Sequence, residues 1–178
     1  VRTPGDADRL ASLFTSVGAA CGLKVRCIAT DGSKPVGAGI GPTEEARDVL
    51  AVLQGKRGAP EDLRSRAILL AGHLFDLADG LGVKEGMIKA ERLLQNGSAW
   101  EQFKRITKAQ GGLKSLGEAR FRRPVLSSES GTIVSIDNRR LARVAKLAGA
   151  PASSTAGLRL LATVGDRVTK GEPLYELL

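Results

Sequence analysis

Between Asp6 and Cys21, Leu10, Leu13, Phe14 and Val17 recur every three or four positions, which places them on one face of a helix that Gly22 stops. The next stretch, KVRCIAT at 24–30, is short and rich in β-branched and small apolar residues, and predicts a strand. It feeds a loop from Asp31 to Gly41. Pro42 suits the first turn of a second helix, whose apolar face is Ala46, Val49, Leu50 and Leu53 and whose end is Gly55. A third helix starts near Pro60 with Leu63, Ala67, Leu70, Leu74 and Leu77 along one side, so the two read as a packed pair. Further helices are expected from Val83 to Leu94 and from Ser98 to Ala109, the latter opened by a capping box of Ser98 and Glu101.

Beyond Gly111-Gly112 the pattern changes. VLSSESGTIVSID has strand character around a Ser-Gly turn, DNRRLARVAKLAGAP reads as a capped helix closed by Gly149 and Pro151, and two strands follow. GLRLLATVG, RVTKG and PLYELL predict a hairpin with turns at Gly165-Asp166 and Gly171. A boundary near Gly112 to Gly117 therefore divides a larger part, 1–115, from a small mixed module, 116–178. The fold class expected is α/β (α+β).

Composition narrows the classes. Charged residues at 26% and apolar residues at 42% are ordinary for a globular chain, and no apolar run approaches a membrane span. The net charge of +8 suits anionic partners or simple solubility. With one Trp, one Tyr and four Phe there is no aromatic platform for single strands, so a solvated basic face is expected and nucleic acid is not. Cys21 and Cys27 lie six positions apart beside a single histidine, which supports neither a zinc site nor a disulfide framework. A soluble protein in the reducing cytoplasm is the expectation, and the start Val1-Arg2-Thr3 reads as a piece of something longer.

The candidate chemistry centres on TDGSKPVGAGIGPTEEARDVL, residues 30–50. Gly37, Gly39 and Gly41 give G-x-G-x-G, not the dinucleotide spacing G-x-G-x-x-G. Glu44 and Glu45 already complement the positive end of the following helix and would repel a phosphate. A cation is easier to accommodate, since carbonyls can converge there and Asp48 adds a carboxylate, while a purely structural turn is the commoner use of such a loop. His73 sits among Leu69, Leu70 and Leu77 and reads as a core or boundary histidine. Ser33, Ser153 and Ser154 have no base or nucleophile elbow around them, so no catalytic constellation emerges. VGDRVTKGEPLYEL invites comparison with biotinyl and lipoyl carriers, but Lys170 falls just before Gly171 and not at a carrier position.

Taken together, TDGSKPVGAGIGPTEEARDVLAVLQG, APEDLR, SGTIVSIDNRRLARVAKLAGAP and AGLRLLATVGDRVTKGEPLYEL resemble the thymidine phosphorylase family, including its AMP phosphorylase branch, toward which the IDN and AGAP elements lean. Lys34 stands where the family usually has glutamine. The resemblance implies a C-terminal portion: a helical and strand remnant of the phosphate-binding α/β domain, then an α/β-hammerhead domain of barrel-sandwich type. It implies a parent enzyme, a cytosolic homodimer, that uses phosphate as co-substrate to cleave a nucleoside or nucleotide. No stretch matches the family's K-H-S-x-G-G phosphate loop, so no catalytic or substrate-binding residue carries over. One site does: a potassium ion on the carbonyls of Val36 and Gly39 and the carboxylate of Asp48, where the family usually has glutamate.

Overall fold

The computed structural model describes residue 1 and residues 3–178 of the chain. Helix makes up 47% and strand 10%, a mixed architecture consistent with α/β. The chain divides into two compact units, one formed by 1–31 with 68–90 and the other by 32–67 with 91–178. The expected division at 112–117 falls inside the second unit. The reason is a strand pairing: Gly39–Ile40 (β1), which leaves the glycine loop, is hydrogen-bonded to Leu158–Leu160 (β4) far along the chain.

In the first unit, Pro4–Ala20 (α1) is opened by Thr3, whose Oγ1 accepts the Asp6 N–H at 3.1 Å. Its buried residue is Gly18, where a side chain would collide with Val25. The expected strand at 24–30 is not assigned here: residues 24–29 lie beside α1, and among the described residues no strand pairs with them. The rest of the unit, 68–90, comes from the greater parts of Glu61–Asp79 (α3) and Val83–Gln95 (α4), which cross closely where Gly72 faces Gly86. A Cβ on Gly72 would stand 2.9 Å from the Met87 nitrogen and one on Gly86 about 3.1 Å from the Gly72 Cα, so both must be small. Arg26 pairs with Asp76, and Lys89 pairs with Asp79 at 3.1 Å and lies over the Phe75 ring. The row Leu70 and Leu74, read as an inward face of α3, is exposed; Ile68 and Gly72 are buried instead.

The second unit begins with the glycine loop and Pro42–Leu53 (α2) and continues through Ser98–Ala109 (α5). The capping box expected at Ser98 does not form. Gly97 occupies the N-cap in the left-handed region, and the side-chain Oδ1 of Asn96 accepts the Ser98 N–H at 2.9 Å. Four strands form an antiparallel sheet in the order β1-β4-β6-β2, with β2 at Arg123–Leu126 and β6 at Pro173–Leu177. Gly131–Thr132 (β3) and Arg167–Val168 (β5) make a separate two-stranded ribbon. The expected hairpin is thus wider than local turns suggest, because β4 pairs with β6 while β5 swings out to β3. Asn138–Ala148 (α6) starts at Asp137, whose carboxylate accepts the N–H groups of Arg139 and Arg140 at 3.0 Å each. The core gathers Leu158, Ala156, Val168, Ala145 and Leu178, of which Leu158 is wholly enclosed.

Candidate functional site

The glycine loop and the first two turns of α2 are where the chain concentrates buried charge. Glu44 and Asp48 are 5% and 4% exposed, although both are ionisable groups that rarely leave water unpaired. One turn apart on α2, they face inward together with Thr43 and Val52. The apolar stripe Ala46, Val49, Leu50 and Leu53 does not define the buried face, and Val49 is 39% exposed. A polar partner set took that place, which hydropathy counting cannot detect.

Each carboxylate is satisfied. The Asp48 Oδ2 accepts the N–H groups of Ala38 and Gly39 at 2.8 and 2.7 Å, and its Oδ1 accepts Arg159 at 3.2 Å. Glu44 receives Arg159 Nε at 2.6 Å and Arg47 Nε at 3.0 Å. Burial alone would push the Arg159 guanidinium down; the hydrogen bond and charge of Glu44, then those of Asp48, outweigh it and leave the group above its ordinary value. Arg47 also donates to the Gly117 carbonyl at 2.6 Å and to Glu118 at 2.7 Å. Glu118 in turn holds Arg122, which reaches Glu176 on β6 at 2.9 Å. Charges of alternating sign therefore run from the glycine loop to the far strands of the sheet.

The glycines are explained by the same contacts. At Gly37, with φ +80°, a Cβ would lie 2.8 Å from the Asp48 carboxylate. At Gly39 it would meet the Glu44 carbonyl at 2.5 Å, and at Gly41, with φ +120°, the Ala156 carbonyl at 2.6 Å. The loop is cleared for its own chain. Further ties are the Gly37 N–H to Asp62 at 3.2 Å, the Gly41 N–H to Glu45 at 3.0 Å and the Thr43 N–H to the Ser154 carbonyl at 3.1 Å.

The expected potassium ligands can now be placed. Val36 and Gly39 lie in the loop and Asp48 beneath it, but Asp48 already accepts two N–H groups and has a guanidinium beside it. A cation there would share the carboxylate with a positive charge, so this donor set fits a backbone clasp and not an ion, and no chemical step is routed through one. Among the described residues no three His, Cys, Asp or Glu side chains gather as a metal site. His73 is half-buried on α3 with its Nδ1 unpartnered among the described residues. Lys170 is exposed in the turn after β5, its N–H donating to Ser130 Oγ at 2.8 Å, and both cysteines are free and exposed. Among the described residues no helix is long and apolar enough to cross a membrane. Arg47, Glu118, Arg122 and Arg159 were not singled out by sequence for this role, since Arg159 is more than a hundred positions from the carboxylates it neutralises.

No model of a protein family matches the chain. Individual proteins do. Over 177 residues, 99% of this chain, it is 49% identical to the protein named "Putative thymidine phosphorylase 1" of Cupriavidus necator and 49% to a "Putative thymidine phosphorylase" of Legionella pneumophila strain Paris. A protein of that second name from Tolumonas auensis is 47% identical over the same length. The chain spans 34% to 35% of these relatives' own lengths. With such identity along nearly its whole extent, the chain belongs to the thymidine phosphorylase family, as a segment that matches the C-terminal part of longer members.

Proposed function

We propose that this chain is the scaffolding portion of a nucleoside phosphorylase, in which a phosphate oxygen displaces the base at the anomeric carbon of the sugar. The carbon–nitrogen bond breaks, the carbon–oxygen bond to phosphate forms, and the base leaves with a proton, giving free base and pentose 1-phosphate. The observation that carries this reading is the identity of 46% to 49% across 99% of the chain with proteins named as thymidine phosphorylases. The chain's own contribution is rigidity: Asp48 and Glu44, held by Arg159 and Arg47, fix the glycine loop on the sheet edge. The 116–178 region is read as the hammerhead-type domain, supported by its antiparallel strands around α6.

The test replaces the matching 177 residues of the Cupriavidus necator relative with this chain and measures base release with and without phosphate. Phosphate-dependent release of thymine, with none from the 178-residue chain alone, is expected. Release of adenine from AMP in preference would assign the AMP phosphorylase reading. Cleavage by the 178-residue chain alone would overturn the scaffolding role. Absence of phosphate-dependent cleavage of either substrate class by the folded long protein would overturn the phosphorylase reading.

A further inference from the structure

In the second unit the end of α2, the turn that joins it to α3, the end of α4 and the start of α5 border a groove of about 390 Å³. Val52, Leu94 and Trp100 give it apolar walls, and Gln54, Lys56 and Gln95 supply polar groups. Apolar walls carrying a few placed polar groups are the usual form of a small-molecule site. Gly55, Gly58 and Gly97 also line it, and a Cβ on any of them would meet open space. The chain's own packing therefore leaves the groove unfilled.

Trp100 says most about what fits there. Helix α5 buries none of its residues, yet it carries the one tryptophan of the chain, whose ring stacks on Phe103 at 5.9 Å and lies under Lys104 at 5.7 Å. The indole is only half-buried, and among the described residues its N–H has no acceptor, whereas a tryptophan settled in a core usually finds one. The neighbouring charges are sorted. Arg64 is held by Glu91 and, at 3.4 Å, by Glu61, while Lys56 has no acid partner among the described residues. Gln95 donates to Glu91 at 2.5 Å and keeps its carbonyl oxygen, and the Gln54 amide is not engaged by any described side chain or backbone group. The groove thus combines an aromatic surface, amide donors and acceptors, and a cation.

We propose that this groove binds a planar nitrogen heterocycle, as a free base or as its nucleoside phosphate, with the ring against Trp100 and Leu94, its polar edge at Gln54 and Gln95, and any phosphate toward Lys56. Aromatic side chains hold bases through their π-faces, and amides read polar ring edges with both donor and acceptor.

The experiment titrates the isotope-labelled 178-residue chain with thymine, adenine, their nucleoside monophosphates and inorganic phosphate, and follows the indole N–H signal of Trp100 with the methyl signals of Val52 and Leu94. At least one heterocycle is expected to move all three residues' signals saturably, with half-saturation below about 1 mM, and phosphate alone to move none. Gln54→Ala should weaken binding about 3-fold or more, and Lys56→Gln should weaken a nucleotide by about as much relative to its free base. Both residues are exposed, so the fold tolerates these changes. Tighter binding of the nucleotide assigns the phosphate-bearing form and tighter binding of the base the free form; either supports the site. No saturable movement at about 10 mM ligand, equal movement by phosphate alone, or movement of the indole without Val52 and Leu94 overturns it. Because this chain alone is expected to cleave nothing, binding here and phosphorolysis by the hybrid are separate readouts, and failure of one leaves the other standing.

Discussion

Leu158 and Phe14 are both large apolar residues in well-patterned elements, yet one is wholly buried and the other 55% exposed. They belong to the two different units. Around Leu158, β4 and β6 are paired, Gly157 and Leu178 exchange two backbone hydrogen bonds, and the clasp of Asp48, Glu44, Arg159 and Arg47 fastens the loop. Around Phe14 there is a helix with an open face and a neighbouring segment, 24–29, with which no strand among the described residues pairs. A unit that closes its own core can hold a precise geometry alone. A unit that does not is shaped by whatever covers it.

The largest effect is expected from Arg159→Ala. Removing the guanidinium leaves Glu44 and Asp48 buried without their main counter-charge, a change that costs about 3–5 kcal/mol. Trp100, the one tryptophan, lies on α5 in the second unit, so urea unfolding followed by its fluorescence reads the loss there. If Arg159→Ala and Glu44→Gln each destabilise but the double variant costs much less than their sum, the clasp is a coupled network. A midpoint unmoved by Arg159→Ala would dissolve the contrast between the two units.

Gly41→Ala comes next. Its φ of +120° and ψ of 155° lie in a region nearly exclusive to glycine, and a Cβ would press on the Ala156 carbonyl. Strain of about 1–3 kcal/mol is expected. Gly55→Ala supplies the control, because its Cβ would meet open space, so only the φ penalty at +60° remains.

Helix positions were legible in the sequence because period and caps are local signals: α1, α2, α5 and α6 lie within two residues of expectation. Their faces were less so. Glu44 and Asp48 look like surface acids until Arg159 arrives from a strand more than a hundred residues away, and no local rule joins them. The same distance hid β1, which has two residues and is defined only by its pairing with β4. The strand expected at 24–30 fails differently: its composition is genuine, but a strand requires a ladder, and among the described residues no strand pairs with 24–29. The glycine loop was correctly marked as unusual, while what it approaches, its own helix and β4, could be learned only from the fold.

A smaller effect is expected with pH in the first unit. The hydrogen bond from Arg26, and after it the N–H of Gly82, hold the Asp76 carboxyl below its ordinary value of 3.8. Its folded pKa is therefore lower than its unfolded one, so its stabilisation is complete above the unfolded value and is lost as pH falls through the folded value. Acidification below about 3.8 should loosen the 24–29 segment, seen as a rise in its backbone mobility by NMR relaxation, and Asp76→Asn should remove that acid-dependent step. Trp100 fluorescence should not follow that step.

The smallest effect, and the one that defines the contrast most sharply, is expected from Phe14→Ser in the isolated chain. A buried phenylalanine exchanged for serine loses its transfer energy and leaves a cavity, but Phe14 is 55% exposed and on the outer face of α1. The substitution removes apolar surface that is already largely wetted, so stability should stay within about 0.5 kcal/mol. Circular dichroism melting of the variant against the parent chain measures it. A loss of 2 kcal/mol or more, the order expected for a core site, would show that the stripe already packs on something in the free chain, and the open face of the first unit would have to be read as occupied.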